Sequence, residues 1–190
     1  YNLGVVCIKA GRYDEAIDAL RLAAVKGIEV DTFPTPPNIR SALPWYLGQA
    51  LEKAGRKDEA MEAFRDSVRN NPDWAPPLKS LGFLLVSAGR IDEAGTHLER
   101  ARAVAGPSDL QLSLGLAKLY RYKDRNADAH RIYLESVGLN PDHPQVLAGL
   151  VLTSVAVDDV ERMLLSLEAL MHRFGMATDR EVEGVEELAC

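Results

Sequence analysis

The stretch Ala54-Gly55-Arg56-Lys57-Asp58-Glu59-Ala60 decides the fold, because the chain contains it three times. The other copies are residues 10–16 and 88–94, and only the fourth residue differs among the three. Glycine is typical of the residue just past a helix end, where a left-handed backbone closes the last turn. Aspartate and glutamate are typical of the next helix's first turn, where they interact with free N–H groups and the positive dipole end. Each copy predicts a joint between two helices, and three copies predict a repeated helix pair.

The composition favours helices and opposes several classes of function. The chain has 190 residues, of which 47% are hydrophobic and 6% aromatic, and its net charge is −6. A negative chain has no overall attraction for nucleic acid or for an anionic membrane surface. No apolar run approaches the roughly 18 residues of a membrane-spanning helix, and no signal segment opens the chain. We therefore expect an α-helical protein without nucleic-acid binding or membrane insertion.

Two cysteines, Cys7 and Cys190, stand at opposite ends of the chain. This usage predicts two free thiols in a reducing compartment and therefore a cytoplasmic location. The sequence starts at Tyr1, without a methionine and already inside a helical pattern, which suggests a fragment of a longer protein.

Small residues recur in register with the joints. A leucine–glycine pair ends seven residues before each joint glycine, and a large apolar residue follows each pair's glycine by sixteen positions. Glycine inside a helix destabilises it by about 1 kcal/mol relative to alanine. Its recurrence therefore predicts places where two helix backbones approach closely. The three pairs and their large partners are Leu3-Gly4 with Leu20, Leu47-Gly48 with Phe64, and Leu81-Gly82 with Leu98.

This pattern resembles the tetratricopeptide repeat, a helix–turn–helix unit of about 34 residues. The second repeat resembles it most, through Trp45-Tyr46-Leu47-Gly48, Leu51, Ala60, Phe64 and the closing Asn71-Pro72. The resemblance implies an all-α fold, a right-handed superhelical solenoid of antiparallel helix pairs. It also implies that the first helices line a concave groove that holds ligands.

The predicted organisation is a single solenoid with a C-terminal capping helix. In the fourth repeat Ala117 takes the place of the small residue, and Asp124 stands where the joint glycine would be, so a less ideal turn is expected. The expected ranges are repeats at about 1–27, 41–74, 75–108 and 109–143, a diverged fifth helix pair at 144–175, and the capping helix at 178–189.

Two segments leave alternatives open. Ten surplus residues separate the first two repeats and include Phe33-Pro34-Thr35-Pro36-Pro37. The loop at 28–40 is either a tolerated insertion or a docking loop, since loop length affects stability little and a proline-rich stretch is already extended. The acidic helix at 178–189 either covers the end of the solenoid or competes for the groove.

The sequence contains no recognisable catalytic or metal-binding pattern. The four histidines, His97, His130, His143 and His172, are scattered without zinc-like spacing. No nucleophile motif, dinucleotide fingerprint or P-loop is present. We therefore expect no enzymatic activity, no catalytic residues, no cofactor and no bound metal.

The groove residues follow from the register of the first helices. They form a surface that is aromatic and apolar at one end and more basic toward repeat four. This predicts a protein or peptide ligand with an apolar anchor and nearby acidic residues. Trp45 and Phe83 have a second interpretation, packing between repeats. The candidate residues are Tyr1, Val5, Ile8, Lys9, Trp45, Gln49, Glu52, Lys53, Lys79, Phe83, Val86, Leu114, Lys118, Arg121 and Tyr122.

One ligand class known in the family is disfavoured. Some members clamp the terminal carboxylates of chaperone tails with Lys, Asn and Arg side chains. This chain has none of these residue types at the corresponding places, which are Tyr1, Val5, Tyr46, Pro76 and Ser80.

The predicted function is a non-catalytic protein–protein interaction scaffold that binds a peptide or protein segment in the concave groove. Two alternatives are an accessory, substrate-positioning arm of a larger enzyme of the glycosyltransferase or methyltransferase type, and a self-association module that forms homo-oligomers. If Trp45 belongs to the groove, Trp45→Ala should weaken binding with little effect on stability. Leu47→Ala and Leu81→Ala should each lower stability by about 2–5 kcal/mol.

Overall fold

The computed structural model of the protein describes residues 1–26 and 39–174. This part contains ten α-helices and no strand, and the predicted all-α fold is confirmed. The proline-rich residues 28–38 and the expected capping helix at 178–189 lie outside the described residues. The helices are α1 Asn2–Lys9, α2 Tyr13–Lys26, α3 Ile39–Lys53, α4 Lys57–Asn70, α5 Ala75–Ser87, α6 Ile91–Ala105, α7 Leu110–Tyr122, α8 Asn126–Leu139, α9 Pro144–Ala156 and α10 Val160–Arg173.

The chain divides into two compact units, Tyr1–Val104 and Ala105–Cys190, called here the N-terminal and C-terminal units. In the N-terminal unit α1 packs on α2 and α3 on α4, while α2 contacts α3 and α4 contacts α5. In the C-terminal unit each helix from α7 to α10 packs on the next. None of the helices described is both long and apolar enough to cross a membrane.

The three repeated joints form the predicted turns. Gly11, Gly55 and Gly89 have φ angles of 74°, 79° and 75°, in the left-handed region. At the second joint the N–H of Arg56 donates to the carbonyl of Leu51 over 2.8 Å, which closes the end of α3. A Cβ built on Gly55 would meet no atom within 4 Å. The backbone angle, and not a lack of space, therefore requires glycine.

The glycines inside the helices mark close contacts, as predicted. A Cβ on Gly48 would lie 2.5 Å from the ring of Phe64, which is fully buried. A Cβ on Gly82 would lie 2.6 Å from Leu98, and the first repeat has the same contact between Gly4 and Leu20 at 2.5 Å. Each contact joins the two helices of one pair, because the missing side chain lets the backbones approach.

The leucines that precede these glycines differ in burial. Leu81 is fully buried, Leu47 is only half-buried, and Leu3 is 63% exposed. The expectation of an equal core role for Leu47 and Leu81 is therefore wrong. Beside Leu47 the preceding helix carries Ala23 and Ala24, which are too short to fill the space there.

Pro44 interrupts the hydrogen bonds of α3, and α4 compensates. Proline has no N–H, so the carbonyl of Arg40 loses its usual partner four residues on. The side-chain amide of Asn70 donates to that carbonyl over 2.8 Å. One residue further, the hydroxyl of Ser67 donates to the carbonyl of Ser41 over 2.7 Å. The first turns of α3 are thereby tied to the end of α4.

Ion pairs connect successive second helices in the N-terminal unit. Glu59 accepts from Arg56 of its own joint at 2.7 Å and from Arg21 on α2 at 2.8 Å. In the next repeat, Glu93 pairs with Arg90 of its joint and with Arg65 on α4, the latter at 2.9 Å. Hydrogen bonds from Arg56 and from Arg65, respectively, lower the pKa of Glu59 and of Glu93.

The joints of the C-terminal unit keep the same turn without glycine. Asp124 and Asp158 have φ angles of 56° and 59°. The N–H of Arg125 donates to the carbonyl of Tyr120 over 2.9 Å, matching the bond between Arg56 and Leu51. The less ideal fourth turn expected from Asp124 is therefore not visible in its hydrogen bonds, although an aspartate in this region is less favourable than glycine.

Two contacts organise the C-terminal unit. The ring of Tyr133 on α8 packs against Gly149 on α9, where a Cβ built on the glycine would lie 2.2 Å from the ring. Ala117 on α7 is fully buried. His130 is buried on α8, with Nδ1 at 3.1 Å from the hydroxyl of Thr153 and Nε2 at 3.5 Å from a carboxylate oxygen of Asp159. His130 therefore connects α8 with α9 and with the start of α10.

Candidate functional site

Three first helices, α1, α3 and α5, carry most of the predicted binding residues. All of these residues lie in the N-terminal unit, and α1 and α3 contact each other. The half-buried ones are Tyr1, Val5, Ile8, Trp45, Gln49, Lys79 and Phe83. The exposed ones are Lys9, Glu52, Lys53 and Val86.

Four aromatic rings form a continuous row across these helices, which we call the aromatic row. Tyr1 meets Tyr46 edge-on with ring centroids 5.6 Å apart. Tyr46 lies 4.8 Å from Trp45, and Trp45 lies 5.1 Å from Trp74, the residue that precedes α5. All four residues are half-buried, so each combines packing between repeats with a surface that solvent reaches.

Trp45 is the centre of this row and has a structural role. Its ring contacts Trp74, the residue that precedes α5, and its Nε1 is buried with no hydrogen-bond partner among the residues that the structure describes. Removing the ring would therefore expose part of a packed contact. The expectation that Trp45→Ala leaves stability nearly unchanged does not fit this geometry.

Partial burial changes the titration of two residues in the surface. Burial, reinforced by the neighbouring Tyr46, raises the pKa of Tyr1 to about 12. Burial also raises the pKa of Glu52, although Lys53 and Lys57 act in the opposite direction.

Sequence reasoning missed Tyr46 and Trp74 as members of this surface. The sequence pattern gives Tyr46 as a repeat-two residue and as a substitute for a family clamp residue, but not as a binding residue. Trp74 precedes α5 and so falls outside the register of the first helices. A signal was available, because Trp45 and Trp74 are the two tryptophans of a chain in which only 6% of the residues are aromatic. Their contact depends on packing between repeats, which the register alone does not give.

The C-terminal unit carries the remaining predicted residues, all on α7. Lys118 and Tyr122 are exposed, and the latter is 76% accessible. Leu114 is buried at 7% exposure, so its assignment to a ligand-facing surface is not supported by its position. Burial raises the pKa of Tyr133, and the nearby Arg121 lowers it in part. Arg121 therefore acts on an internal residue of this unit.

The described residues bring together no group of three or more His, Cys, Asp or Glu side chains that could hold a metal ion. Cys7 is buried and has no disulfide partner among them. What the N-terminal surface offers is therefore a set of aromatic faces and exposed charges, which suits recognition of another chain.

The repeated joints, the helix pairs and the glycine contacts define a protein built from helix–turn–helix repeats. Three family profiles, each described as tetratricopeptide repeat, match residues 1–29, 41–73 and 81–144. The chain belongs to the tetratricopeptide repeat family. This membership supports a role as a protein–protein interaction scaffold of a generally non-catalytic kind.

Solved structures of MamA have a similar fold. One is 18% identical, with a TM-score of 0.72, and the match covers 91% of this chain and 97% of that one. Another, designated MamA AMB-1, is 21% identical with a TM-score of 0.73, covering 94% of this chain and 92% of that one. At this identity the likeness concerns the fold. No curated protein sequence matches the chain.

Proposed function

We propose that the protein is a non-catalytic scaffold that binds a peptide or protein segment along its first helices, centred on the aromatic row. The observation that carries the proposal is the unbroken series of four half-buried rings that runs from the residue before α1, over α3, to the residue before α5. Aromatic side chains are enriched among residues that dominate binding energy, since they supply large rigid surfaces with few rotatable bonds. A ligand with apolar anchors fits this surface.

Exposed charges at the C-terminal ends of α1 and α3 support selectivity. Glu52 and Lys53 lie at the end of α3, and Lys9 lies at the end of α1. Charges at the rim of an interface affect association rate and partner choice more than affinity. We also propose that the ligand carries acidic residues, because Lys9 and Lys53 are exposed at the ends of α1 and α3.

The test uses substitutions that spare the packed rings. The variant Glu52→Arg/Lys53→Glu exchanges exposed charges at the end of α3, and Asp18→Arg on α2 is the control at an exposed carboxylate on a second helix. Partners captured by the wild type should be depleted with the double variant and retained with the control. A synthetic segment of the captured partner, titrated into each protein, should show the same order of affinity.

The proposal fails if the double variant and Phe83→Ser both capture the same partners as the wild type and bind them with the same affinities. Trp45→Ala is informative only with a measured free energy of unfolding, because its ring also packs against Trp74.

Self-association is the second candidate, favoured by an exposed apolar stripe on α10. Val160, Leu164 and Leu167 are 54%, 51% and 41% exposed, and Phe174, which follows the helix, is 66% exposed. Their spacing of four, three and seven residues places them on one side of the helix. Sedimentation velocity over a hundredfold concentration range should show oligomers that Leu164→Asp abolishes; a constant monomer would remove this candidate.

A further inference from the structure

An open cleft of about 700 Å³, called here the cavity, lies in the surface of the N-terminal unit between α2, α3 and α4. Ala24, Arg40 and Arg69, which line it, are exposed. Its apolar walls include Ala23, Ala24, Leu43, Pro44 and Leu47. Its volume is in the range of about 300–1,000 Å³ that is usual for ligand sites. None of the residues proposed for the first-helix surface is among those that line it, so it is a separate site.

Specific features of the sequence hold this cavity open. The two alanines on α2 leave unfilled the space that longer side chains would occupy beside Leu47. Pro44 frees the carbonyl of Arg40, and Asn70 on α4 binds that carbonyl, which fixes one wall to another. The third repeat has no such gap at the equivalent leucine, since Leu81 is fully buried.

The charged residues at this cavity make it locally basic in an acidic protein. Arg40, Arg69 and Asp66 are the charged residues that line it. Asp66 already forms an ion pair with Arg69. Arg40 is exposed and has no ion-pair partner among the described residues. An arginine in this situation is suited to bind a carboxylate through two parallel hydrogen bonds.

We propose that the cavity binds a segment of a partner protein that inserts one bulky apolar side chain beside Leu47 and places a carboxylate against Arg40. The apolar walls select the inserted side chain, and the unpaired guanidinium selects the charge next to it. This site adds a second point of contact to a scaffold that also uses its first helices.

Three matched peptide probes test the proposed chemistry: acetyl-Asp-Phe-Asp-amide, acetyl-Asn-Phe-Asn-amide and acetyl-Asp-Ala-Asp-amide. Each is titrated into the full chain with labelled leucine methyl groups, and the resonances of Leu43 and Leu47 are followed by NMR. The acidic phenylalanine probe should shift these resonances saturably, with a Kd at least about fivefold lower than that of either other probe.

Variants connect the signal to the cavity. Ala24→Phe fills the space and should abolish the saturable shift, whereas Val25→Phe, at a neighbouring position that is 84% exposed and does not line the cavity, should keep it. Arg40→Gln should remove the preference for the acidic over the neutral probe while the phenylalanine still binds. Urea unfolding of each variant verifies that the fold is retained.

Two outcomes would overturn the proposal. One is the absence of saturable shifts in the wild type, and the other is shifts that persist in Ala24→Phe. The first outcome is explained if shifts appear once residues 28–37 are replaced by a glycine–serine segment of equal length. In that case the chain itself occupies the cavity, and the assignment to a partner is wrong.

Discussion

Repeats two and three contain the same leucine–glycine pair but place it in different surroundings. The glycines are equivalent, since Gly48 and Gly82 approach Phe64 and Leu98 with nearly the same geometry. The leucines are not, since Leu81 is fully buried and Leu47 faces a cavity. The glycine contact lies within one helix pair, whereas the leucine depends on the helix that precedes it. The comparison shows that the residues of one repeat determine the contact between its two helices, whereas the neighbouring repeat determines how the surface between repeats is filled.

The largest expected effect separates the two leucines. Leu81→Ala removes a fully buried side chain and should lower the free energy of unfolding by about 2–5 kcal/mol. Leu47→Ala should lower it by less than half as much, because Leu47 already borders empty space. Urea unfolding of both variants provides the measurement. Equal losses would show that the cavity beside Leu47 is filled in solution.

The glycines should behave alike. Gly48→Ala and Gly82→Ala each place a methyl group within 2.6 Å of a large side chain and should destabilise the protein by about 1–3 kcal/mol. The better helix propensity of alanine offsets part of this loss. Thermal unfolding of the two variants checks the prediction, with the exposed Gly138 as control, where a Cβ meets nothing within 4 Å. A large difference between the two would contradict the equivalence of the two interiors.

The joints extend the comparison to the C-terminal unit. Gly55→Ala and Gly89→Ala should each lower stability by about 1 kcal/mol, because the left-handed backbone is unfavourable for alanine although space is available. Asp124→Gly should raise it by up to about 1 kcal/mol for the same reason. Urea unfolding tests these changes in stability: the midpoint should fall for the two glycine variants and rise for Asp124→Gly, with the same dependence of the free energy of unfolding on urea concentration. A destabilised Asp124→Gly would show that the aspartate side chain supports its turn.

The smallest effect concerns the ion pairs that connect the second helices. The pKa of Glu59 and that of Glu93 are lowered in the folded protein, so their contribution to stability is present above the ordinary carboxyl pKa and is lost as pH falls through the lowered values. The double variant Glu59→Gln/Glu93→Gln should therefore differ most from the wild type at pH 7 and converge with it once the pH falls below the lowered pKa values. High salt should reduce the difference at pH 7. A difference that is constant with pH would exclude this ionic role.

Much of the fold was predictable because its determinants are local. The joint at residues 54–60 predicted the end of α3 and the start of α4, and the sixteen-residue spacing from Gly48 to Phe64 predicted their contact. The register also placed Ala117 in the core of repeat four. The candidate site was less predictable, since its centre includes Trp74, which lies outside that register. Contacts between repeats depend on which side chains of two adjacent repeats lie close together after packing.

The repeat, its helices, its turns and the tight contact inside each pair follow from the amino-acid sequence, because short-range spacing and backbone preference suffice for these. Three features of the N-terminal unit follow only from packing: Trp45 contacts Trp74, Leu47 borders a cavity, and Asn70 replaces the donor that Pro44 removes. Each depends on residues from different helices or repeats, whose proximity follows from packing.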